Sequence, residues 1–437
     1  MREKIFALVD CNNFYCSCER VFNASVRLRP VIVLSNNDGC VVARTNDIKK
    51  YIRMGQPVFE CREIIEKYHV AVFSSNYSLY ADMSARVMTV LRRFSPLVEI
   101  YSIDEAFLDV TEVGTRDFTQ LGRAIRARVL QETGIPVSVG FAKSKTLSKI
   151  ATELVKKDHR YEGVLDLTSL SEDVLDELLS KIEVEDVWGI GSQYSKFLQR
   201  RNILTAKDLK YADPPSIRRH LTVVGERTVL ELRGISCLPL EEEVKDKKGI
   251  MCAKTFGREI TSREELEEAI ANYIARAAEK LRSQESQAAC MSVFIQTNVF
   301  KKRLPQYANS ITTVLPYPTA FTPDLIQAAL KAVRLLYKAG YRYRKAGVYL
   351  TKIIPEEVVQ PDLFGDFSFG AHEKKGRLMA IVDAINSVYG RDTLFFAVQG
   401  ITRPWKMRQS LLSSRFTTQW SELLTIGDHA PSPVSSP

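Results

Sequence analysis

The chain contains 437 residues, of which 45% are hydrophobic and 26% are charged, and its formal net charge is +9. This length exceeds one ordinary hydrophobic core, so we expect roughly two to four domains with the composition of a soluble globular protein. No apolar run reaches the roughly 18–20 residues that span a bilayer, and the N-terminal apolar stretch is too short for a signal peptide, so we expect a cytoplasmic protein with reduced cysteines.

The N-terminal segment predicts a buried strand followed by a helix. Lys4–Asp10 has the pattern of a buried strand that ends on a carboxylate, and a helix is predicted from Tyr15 to about Phe22. Four cysteines lie within residues 1–40, but their spacing is not that of a zinc site and no histidine lies near them. We therefore interpret these cysteines as small buried residues.

A turn and a basic group follow the next predicted strand, Pro30–Leu34. Ser35–Gly39 has the composition of a turn, and the run Cys40–Arg44 comes directly after it. The nearby basic residues are Arg44, Lys49, Lys50 and Arg53. Positive side chains beside a turn rich in amides suit a phosphate site.

Two adjacent carboxylates, Asp104 and Glu105, lie in an apolar run from Val98 to Val110. The run predicts a pair of short strands, or one strand with a tight bend, after a helix over Tyr80–Phe94. Neighbouring residues of a straight strand point to opposite faces, so both acids serve one site only if the chain bends there. The alternative is a hairpin tip with two solvated acids, against which the buried-strand acid Asp10 argues.

The following region alternates helices and strands. We predict a helix over Phe118–Thr133, a strand over Pro136–Phe141 and a helix over Leu147–Lys157, as in an α+β layer. The run around Lys145 lacks the glycine that precedes the lysine of a P-loop, so we reject that motif. What remains is a lysine between a strand and a helix, where amide donors and positive charge coincide.

Small helices are predicted from about Thr168 to Cys237, with a glycine-rich connection among them. Gly189, Ile190 and Gly191 form the Gly-hydrophobic-Gly pattern of a helix-hairpin-helix motif. Its glycines let backbone amides approach a DNA phosphate, so this motif would bind DNA without reading sequence. A glycine-rich connection without function is the alternative.

A charged linker, Glu241–Gly249, separates these helices from a basic domain. Between Lys245 and Lys352 there are 19 Lys and Arg against 9 Asp and Glu, which accounts for the whole positive excess of the chain. Such a concentration fits contacts with phosphates. The predicted elements have the β-α-β-β-α-β order of a split βαβ domain: Met251–Glu259, Ser262–Ser283, Ala288–Thr297, Ser310–Leu315, Pro323–Ala339 and Ala346–Thr351.

The C-terminal region has an irregular composition. Gln360-Pro-Asp-Leu363-Phe364 is a peptide of the kind that binds in a groove of another protein. Leu378–Val388 is predicted to be helical, whereas the run that begins at Arg415 is left unassigned. The end of the chain, His429–Pro437, has the composition of a disordered tail.

Several motifs together resemble those of the Y-family DNA polymerases. They are Asp10-x-Asn-x-Phe14-Tyr15, Ser102-Ile-Asp104-Glu105-Ala, Val139-Gly-Phe-Ala-Lys-x-Lys145-x-Leu-x-Lys149 and Gly189-Ile-Gly191, in this order. Longer runs, such as Ser35–Arg44, Asn76–Ser84, Asp186–Gly191 and Ala277–Arg282, resemble the UmuC-like branch of that family, the catalytic subunits of bacterial DNA polymerase V. The resemblance extends to about Leu424.

The resemblance implies an α+β right-hand polymerase. It places the palm in residues 1–23 and 75–167, the fingers in 24–74, the thumb in 168–240, a linker in 241–250, a little finger in 251–354 and a C-terminal extension in 355–437. The implied activity is error-prone, template-directed nucleotidyl transfer past damaged bases in the SOS response, by a two-metal mechanism.

The resemblance also implies roles for individual residues. Asp10, Asp104, Glu105 and the backbone carbonyl of Cys11 would hold two Mg²⁺ ions, which require hard oxygen ligands. Tyr15 matches the steric gate that excludes a 2′-hydroxyl group. The positions that match contacts to the nucleotide triphosphate are Arg44, Lys49 and Lys145, and those that match a clamp-binding peptide are Gln360, Leu363 and Phe364.

The implied partners are primer-template DNA, dNTPs, a dimer of a processed UmuD-like protein, a RecA filament and the sliding clamp. Two alternatives stay open: a stand-alone lesion-bypass polymerase of the DinB type, and a DNA-binding scaffold with a degenerate palm. A nucleotide cyclase with a similar metal arrangement would need neither the hairpin motif nor the basic domain. We find no exonuclease constellation and expect no proofreading.

Overall fold

The computed structural model describes residues 3–241, 243, 245–358 and 368–424, which form two compact units. Unit 1 consists of the described parts of Met1–Ser35, Cys40–Val244 and Leu411–Pro437. Unit 2 consists of the described parts of Asn36–Gly39 and Lys245–Ser410. The division at residues 244–245 falls within the predicted linker. No described helix is both long and apolar enough to cross a membrane.

Unit 1 is a mixed α+β structure with two sheets and a group of helices. In chain order its elements are β1 (Phe6–Cys11), α1 (Phe14–Phe22), β2 (Val31–Leu34), β3 (Val41–Arg44), α2 (Arg62–Lys67), β4 (Ala71–Ser74), α3 (Tyr77–Leu91), β5 (Val98–Ile100), β6 (Glu105–Asp109), α4 (Phe118–Thr133), β7 (Val137–Ala142), α5 (Lys145–Lys157), β8 (Val164–Asp166), α6 (Glu172–Ser180), α7 (Ser192–Gln199), α8 (Ala206–Tyr211) and α9 (Pro214–Leu232).

The larger sheet of unit 1 has the strand order β5-β6-β1-β7-β8. Strand β1 lies at its centre, antiparallel to both β6 and β7, and all six of its residues are buried. Burial on both faces explains why the sequence from Phe6 to Val9 is an uninterrupted apolar run. Helix α5 packs across β1 and β7, which brings its basic side chains to the end of β1.

The smaller sheet of unit 1 has the strand order β3-β2-β4, with β2 parallel to β4 and antiparallel to β3. It has its own small core, which includes Ile32, Leu34, Ile48 and Ile52. Helices α6 to α9 surround another core, which includes Leu179, Leu198, Leu209 and Val229 together with residues of α5. Unit 1 therefore contains separate cores for the three regions that the sequence distinguishes.

Most predicted elements of unit 1 agree with the structure within a few residues, and α3 shows why one boundary differs. The helix predicted from Tyr80 begins at Tyr77 and ends at Leu91. It begins one turn earlier because the side chain of Asn76 accepts a hydrogen bond from the amide of Leu79 at 3.3 Å and caps the helix. The prediction used only the spacing of apolar residues, which does not include the capping residue Asn76.

Unit 2 contains the predicted β-α-β-β-α-β order. Its elements are β9 (Ile250–Ile260), α10 (Arg263–Arg282), β10 (Ser286–Thr297), β11 (Ala308–Thr319), α11 (Thr322–Leu336), β12 (Tyr343–Pro355) and, beyond the sheet, α12 (Phe369–Val388). The antiparallel sheet has the order β11-β10-β12-β9, and α10 and α11 contribute to one common core with it. Trp405, from the region after α12, is part of that core.

Strand β11 is longer than predicted, because it extends over Ala308–Thr319 rather than Ser310–Leu315. It lies at the edge of the sheet and most of its residues are exposed or half-buried. The length of β11 is set by its hydrogen bonds to β10 and not by burial. The hydrophobic pattern of the sequence therefore predicts too short a strand.

Candidate active site

A cleft of about 670 Å³ in unit 1 brings together half of the predicted site residues. It is lined by the end of β1, the start of α1, strand β3, the connection before β6 and the second half of α5. The predicted site residues at its wall are Asp10, Cys11, Tyr15, Arg44, Lys49, Asp104 and Glu105. Residues more than 90 positions apart in the sequence therefore share one cavity.

The three carboxylates converge because the chain turns sharply between β5 and β6. Asp10 in β1 pairs in register with Glu105, the first residue of β6, so the two side chains lie on the same face of the sheet. Asp104 precedes the strand and lies in the turn, where its carbonyl accepts a hydrogen bond from the amide of Cys11 at 2.8 Å. Because Asp104 is outside the strand, the alternation of strand side chains does not separate it from Glu105.

Ser102 stabilises this turn from within. Its hydroxyl donates a hydrogen bond to Asp104 Oδ1 at 2.6 Å and accepts hydrogen bonds from the amides of Asp104 and Glu105 at 3.2 and 3.0 Å. The alternative of a hairpin tip with two solvated acids does not describe this arrangement, since both side chains are half-buried and line the cleft.

Two lysines of α5 neutralise the carboxylates. Lys156 Nζ lies 2.6 Å from Asp10 Oδ2, and Lys149 Nζ lies 2.8 Å from Glu105 Oε2. The two lysines are seven residues apart, which places them on the same face of the helix, two turns from each other. Helix α5 therefore carries two positive charges along the acids of the cleft.

The electrostatics of the acids follow from burial and from these lysines. Burial raises the pKa of Asp10 to about 7, against the opposing effect of Lys156 and with a smaller contribution from Glu105. Burial also works to raise the pKa of Glu105, but the hydrogen bond and the charge of Lys149 outweigh it and lower that pKa below its usual value. The two carboxyl groups thus differ in proton affinity although they face each other.

The three carboxylates of the cleft are suitable ligands for hard divalent cations. In this structure, two of them pair with lysines. Within the described parts of the chain, no group of three or more His, Cys, Asp or Glu side chains already has the arrangement of a metal site. Carboxylate oxygens are the ligands that Mg²⁺ prefers, and three carboxylates line this one cleft. The ammonium groups of Lys149 and Lys156 supply the positive charge that such cations would otherwise provide.

Tyr15 lies at the wall of the cleft as part of an aromatic stack. Its ring lies 4.5 Å from that of Tyr80, centroid to centroid, with 13° between the planes, and meets the ring of Tyr77 edge-on at 6.0 Å. Burial, then the neighbouring Tyr77 and the charge of Asp104, raise the pKa of Tyr15. The phenol ring of Tyr15 is therefore a neutral, supported surface close to the acids.

Arg44 and Lys49 form a cationic group with Lys156 on another part of the wall. Burial, followed by the positive charges of Arg44 and Lys156, lowers the pKa of Lys49. The Nε atom of Arg44 is buried and has no hydrogen-bond partner among the described residues. Mutually repelling cations and an unsatisfied donor are features of a site that binds an anion.

The structure does not bring Lys145 into the cleft with the other predicted triphosphate contacts, Arg44 and Lys49. The ammonium group of Lys145 is buried, pairs with Glu99 and donates to the carbonyl of Pro239 at 2.7 Å. It is not among the described residues that line the cleft, whereas Lys156 is. Sequence reasoning missed Lys156, because its place at the wall of the cleft depends on how α5 packs over β1 and β7.

The predicted hairpin motif is a short connection before α7. Gly189 has a φ of +91°, which favours glycine, and an added Cβ at Gly191 would meet open space. The preceding helix is only a single 3₁₀ turn, Val184–Asp186, rather than a full α-helix. Gly189 and Gly191 are exposed, whereas Ile190 is buried and its amide donates a hydrogen bond to the carbonyl of Val187 at 3.0 Å.

The hairpin also contacts the acidic turn through aromatic side chains. Trp188 Nε1 donates a hydrogen bond to the hydroxyl of Tyr101 at 3.1 Å, and the rings meet edge-on. Lys149 Nζ lies 4.4 Å from the centroid of the Tyr101 ring while it pairs with Glu105. The hairpin and the acids are thus joined by one continuous set of contacts.

The predicted clamp-binding residues Gln360, Leu363 and Phe364 lie outside the described residues.

Comparisons with known proteins identify the family. Residues 9–153 match the model of the impB/mucB/samB family, and residues 247–363 match that of its C-terminal domain. The UmuC protein of Salmonella typhimurium strain LT2 is 46% identical to the chain over 97% of the chain and 100% of that protein. The chain belongs to the impB/mucB/samB family. Residues 376–426 match a further model, described as a domain of unknown function.

The chain is also similar to other proteins. The MucB protein of Escherichia coli is 40% identical over 96% of the chain and 99% of that protein. DNA polymerase IV of Moorella thermoacetica is 28% identical over 90% of the chain and 95% of that protein. Among solved structures, a Y-family DNA polymerase chimera of Dbh and Dpo4 has a TM-score of 0.63 and 22% identity, over 80% of the chain and 99% of that structure.

These findings confirm the resemblance and the fold class that the sequence predicts. The family member is a UmuC-like Y-family DNA polymerase with a mixed α+β polymerase architecture. The predicted function of an error-prone translesion DNA polymerase subunit, and the predicted activity of a DNA-directed DNA polymerase, are likewise confirmed. Polymerases of this family generally depend on divalent metal ions and act on DNA.

Proposed function

We propose that the cleft in unit 1 is the site of nucleotidyl transfer, and that Asp10, Asp104 and Glu105 hold two Mg²⁺ ions there with the backbone carbonyl of Cys11. The observation that carries this proposal is the convergence of three carboxylates, two of them paired with lysines at 2.6 and 2.8 Å, beside the further cations Arg44 and Lys49. When bound, the two ions activate the primer 3′-oxygen and stabilise the leaving pyrophosphate.

The residues of this chain would position the nucleotide around those acids. Tyr15 would exclude a 2′-hydroxyl group, because its ring lies at the cleft wall on the rigid stack with Tyr80. Arg44 and Lys49 would bind the triphosphate, which also satisfies the buried Nε atom of Arg44. We assign the third triphosphate contact to Lys156 rather than to Lys145, and propose that Lys156 leaves Asp10 when the nucleotide enters.

The domain assignment is part of the same proposal. We place the palm in residues 1–23 and 75–167, the fingers in 24–74, the thumb in 168–240 and the little finger in 251–354. The separate cores of the large sheet, the small sheet and helices α6 to α9 support the first three. In this arrangement Gly189–Gly191 would bind the DNA backbone from the thumb.

We further propose that the chain works with a dimer of a processed UmuD-like protein, a RecA filament and the sliding clamp. The support is its 46% identity to the UmuC protein over nearly the full length of both chains. The sliding clamp would bind Gln360, Leu363 and Phe364, and the extension that contains them is a candidate surface for the other partners. Primer-template DNA and dNTPs would be the substrates.

Primer extension opposite an abasic template site tests the proposed function. The reaction contains Mg²⁺ and dNTPs, with or without RecA filaments and the processed UmuD-like partner, and Asp104→Asn serves as the control. Synthesis across the lesion only with those partners, and its loss in Asp104→Asn, is the expected result. Robust synthesis by the chain alone would favour a stand-alone polymerase. DNA binding without any synthesis would favour a scaffold.

A further inference from the structure

The aromatic stack at the cleft rests on a buried carboxyl group. Tyr80 is fully buried, and its hydroxyl donates a hydrogen bond to Glu19 Oε1 at 2.6 Å. Glu19 lies one helical turn after Tyr15 on α1, so both residues face the same side of that helix. The ring that lines the cleft, the ring beneath it and the carboxyl group of Glu19 therefore form one packed set.

Glu19 is an unusual residue to find at this depth. Its exposed fraction is 1%, and no cationic side chain among the described residues forms an ion pair with it. Burial raises the pKa of Glu19 to about 7, against the opposing effects of hydrogen bonds from Tyr80 and Ser413. Burial of a carboxyl group without a counter-charge costs free energy, so its two hydroxyl partners are the groups that stabilise it.

The second partner comes from the far end of the chain. Ser413 Oγ donates a hydrogen bond to Glu19 Oε1 at 3.1 Å, the same oxygen that accepts from Tyr80. Ser413 belongs to the C-terminal segment, which we define as Leu411–Phe416. This segment lies within the stretch that matches a domain of unknown function, and it belongs to unit 1.

The C-terminal segment is bound to unit 1 at several points. Asn76 Nδ2 lies 3.0 Å from Ser413 Oγ and 3.1 and 3.2 Å from the carbonyls of Ser413 and Ser414. The amide of Ser74 donates to the carbonyl of Leu411 at 2.9 Å, and the amide of Leu411 donates to Ser74 Oγ at 3.0 Å.

The segment also packs against α1, and one of its anchors caps α3. The ring of Phe416 stacks on that of Phe22 in α1 with centroids 4.9 Å apart. Asn76, which binds the segment, also caps α3, the helix that carries Tyr77 and Tyr80. The segment therefore contacts both helices that contribute rings to the stack.

We propose that Glu19 and the C-terminal segment are positioning elements for Tyr15, so that this part of the domain of unknown function helps the polymerase to select deoxyribonucleotides. The inference rests on the proposed role of Tyr15 as a steric gate. A steric gate excludes a 2′-hydroxyl group only if its ring cannot be displaced. The hydroxyl of Tyr80 is held by Glu19, which is held in turn by Ser413, and this chain of hydrogen bonds opposes displacement of the rings.

Nucleotide selection measures this role directly. The readout is the ratio of kcat/KM for a correct dNTP to kcat/KM for the matching rNTP, obtained with the full chain and its partners. Ser413→Ala and Tyr80→Phe each remove a hydroxyl donor to Glu19 and keep the aromatic rings. We expect each variant to lower the ratio by about threefold to tenfold, mainly through improved use of the rNTP.

Three further variants separate positioning from general damage. Ser414→Ala is the matched control, because only the backbone carbonyl of Ser414 contacts Asn76, and it should keep the wild-type ratio. Glu19→Gln retains an acceptor oxygen for both hydroxyls and should also keep it. Glu19→Ala removes that oxygen and should lower it at least as much as Ser413→Ala does.

Two outcomes would overturn the inference. One is a wild-type ratio in both Ser413→Ala and Tyr80→Phe. The other is an equal loss of dNTP and rNTP incorporation in these variants, which would show a purely structural role. Tyr15→Ala and Asp104→Asn distinguish a failure of this inference from a failure of the proposed function. If Asp104→Asn abolishes incorporation and Tyr15→Ala admits rNTPs, the proposed function stands even where the C-terminal segment proves irrelevant.

Discussion

The charged groups of the cleft in unit 1 and the positive excess of unit 2 are organised differently. In unit 1 the charges of the cleft are buried or half-buried and held in close ion pairs, as in Asp10 with Lys156 and Glu105 with Lys149. In unit 2 the positive excess is spread over the surface, as in the exposed run Lys301–Arg303 between β10 and β11. Buried pairs define the geometry of a reaction site, whereas a spread of exposed cations suits contact with any phosphate backbone.

This comparison separates two kinds of function in one chain. Removing a partner from a buried pair leaves a charge without compensation, so each such residue has a large individual effect. Exposed cations on a binding surface each contribute a small and similar amount, which added salt reduces. The following experiments test whether the two units differ in this way.

The largest effect is expected at the buried acids of the cleft. Glu105→Gln should lower the rate of nucleotide incorporation by more than about 100-fold, since a neutral amide is a poor ligand for a divalent cation. Glu99→Gln is the matched control, because Glu99 lies in the same sheet and is paired with a lysine of α5 but is outside the cleft. Single-turnover kinetics at saturating nucleotide measure both rates.

The account of the acids would be contradicted by similar rates in the two variants. Glu99→Gln leaves Lys145 buried without a counter-charge, and we expect it to lower the free energy of unfolding by about 3–5 kcal/mol. Its incorporation rate per folded molecule should stay at the wild-type level. Denaturant titration of both variants keeps the stability change separate from the chemical one.

Two lysines on the same helix should differ in the next experiment. Lys156→Met should raise the KM for dNTP by roughly tenfold or more, since a charge-assisted contact to the triphosphate is lost. Lys145→Met should leave that KM unchanged and destabilise the fold through the unpaired Glu99. Steady-state kinetics with varied dNTP distinguish the two. An increased KM in Lys145→Met alone would restore the assignment that the sequence suggests.

A smaller effect is expected on the surface of unit 2. The double variant Lys302→Ala with Arg303→Ala should weaken binding to primer-template DNA by about tenfold at low salt, equally for unrelated sequences. The slope of log affinity against log salt should fall in magnitude by about two. Lys331→Ala, an exposed lysine on α11, is the control. Loss confined to one DNA sequence would contradict a backbone contact.

The last effect concerns pH and the buried carboxyl group of Glu19. Its pKa is raised in the folded state to about 7, so the folded state binds a proton more tightly than the unfolded state does. The contribution of Glu19 to stability is therefore complete below about pH 4.5 and is lost as the pH rises through about 7. Over this interval the wild type should lose on the order of 1–3 kcal/mol relative to Glu19→Gln.

Denaturant titrations at several pH values measure this difference. Glu60→Gln, a substitution of an exposed glutamate in unit 1, should follow the wild type at every pH. Parallel pH profiles for the wild type and Glu19→Gln would show that Glu19 does not titrate in this interval.

Much of the fold could be predicted because its signals are local. The helix over Phe118–Thr133 has the predicted bounds, and the four strands and two helices of the unit 2 sheet occur in the predicted order. The acids of the site could also be predicted, because Asp10 ends a predicted buried strand and Asp104 precedes another strand. These features depend on burial periodicity and on turn residues, both of which a single sequence contains.

Other parts of the site depend on distant contacts and could not be predicted. The choice between Lys145 and Lys156 requires the position of α5 over β1 and β7, which no local pattern contains. The sequence predicts no element in the C-terminal segment. Hydrogen bonds from residues more than 300 positions away, such as Asn76, hold it in place.

Metal binding tests the central claim, that the three carboxylates of the cleft form the catalytic metal site, most directly. The measurement is an electron paramagnetic resonance titration with Mn²⁺ of the chain on a dideoxy-terminated primer-template with the correct dNTP. The account predicts bound Mn²⁺ beyond that held by the nucleotide alone, and its loss in Asp104→Asn. Equal Mn²⁺ binding by the wild type and Asp104→Asn would contradict it.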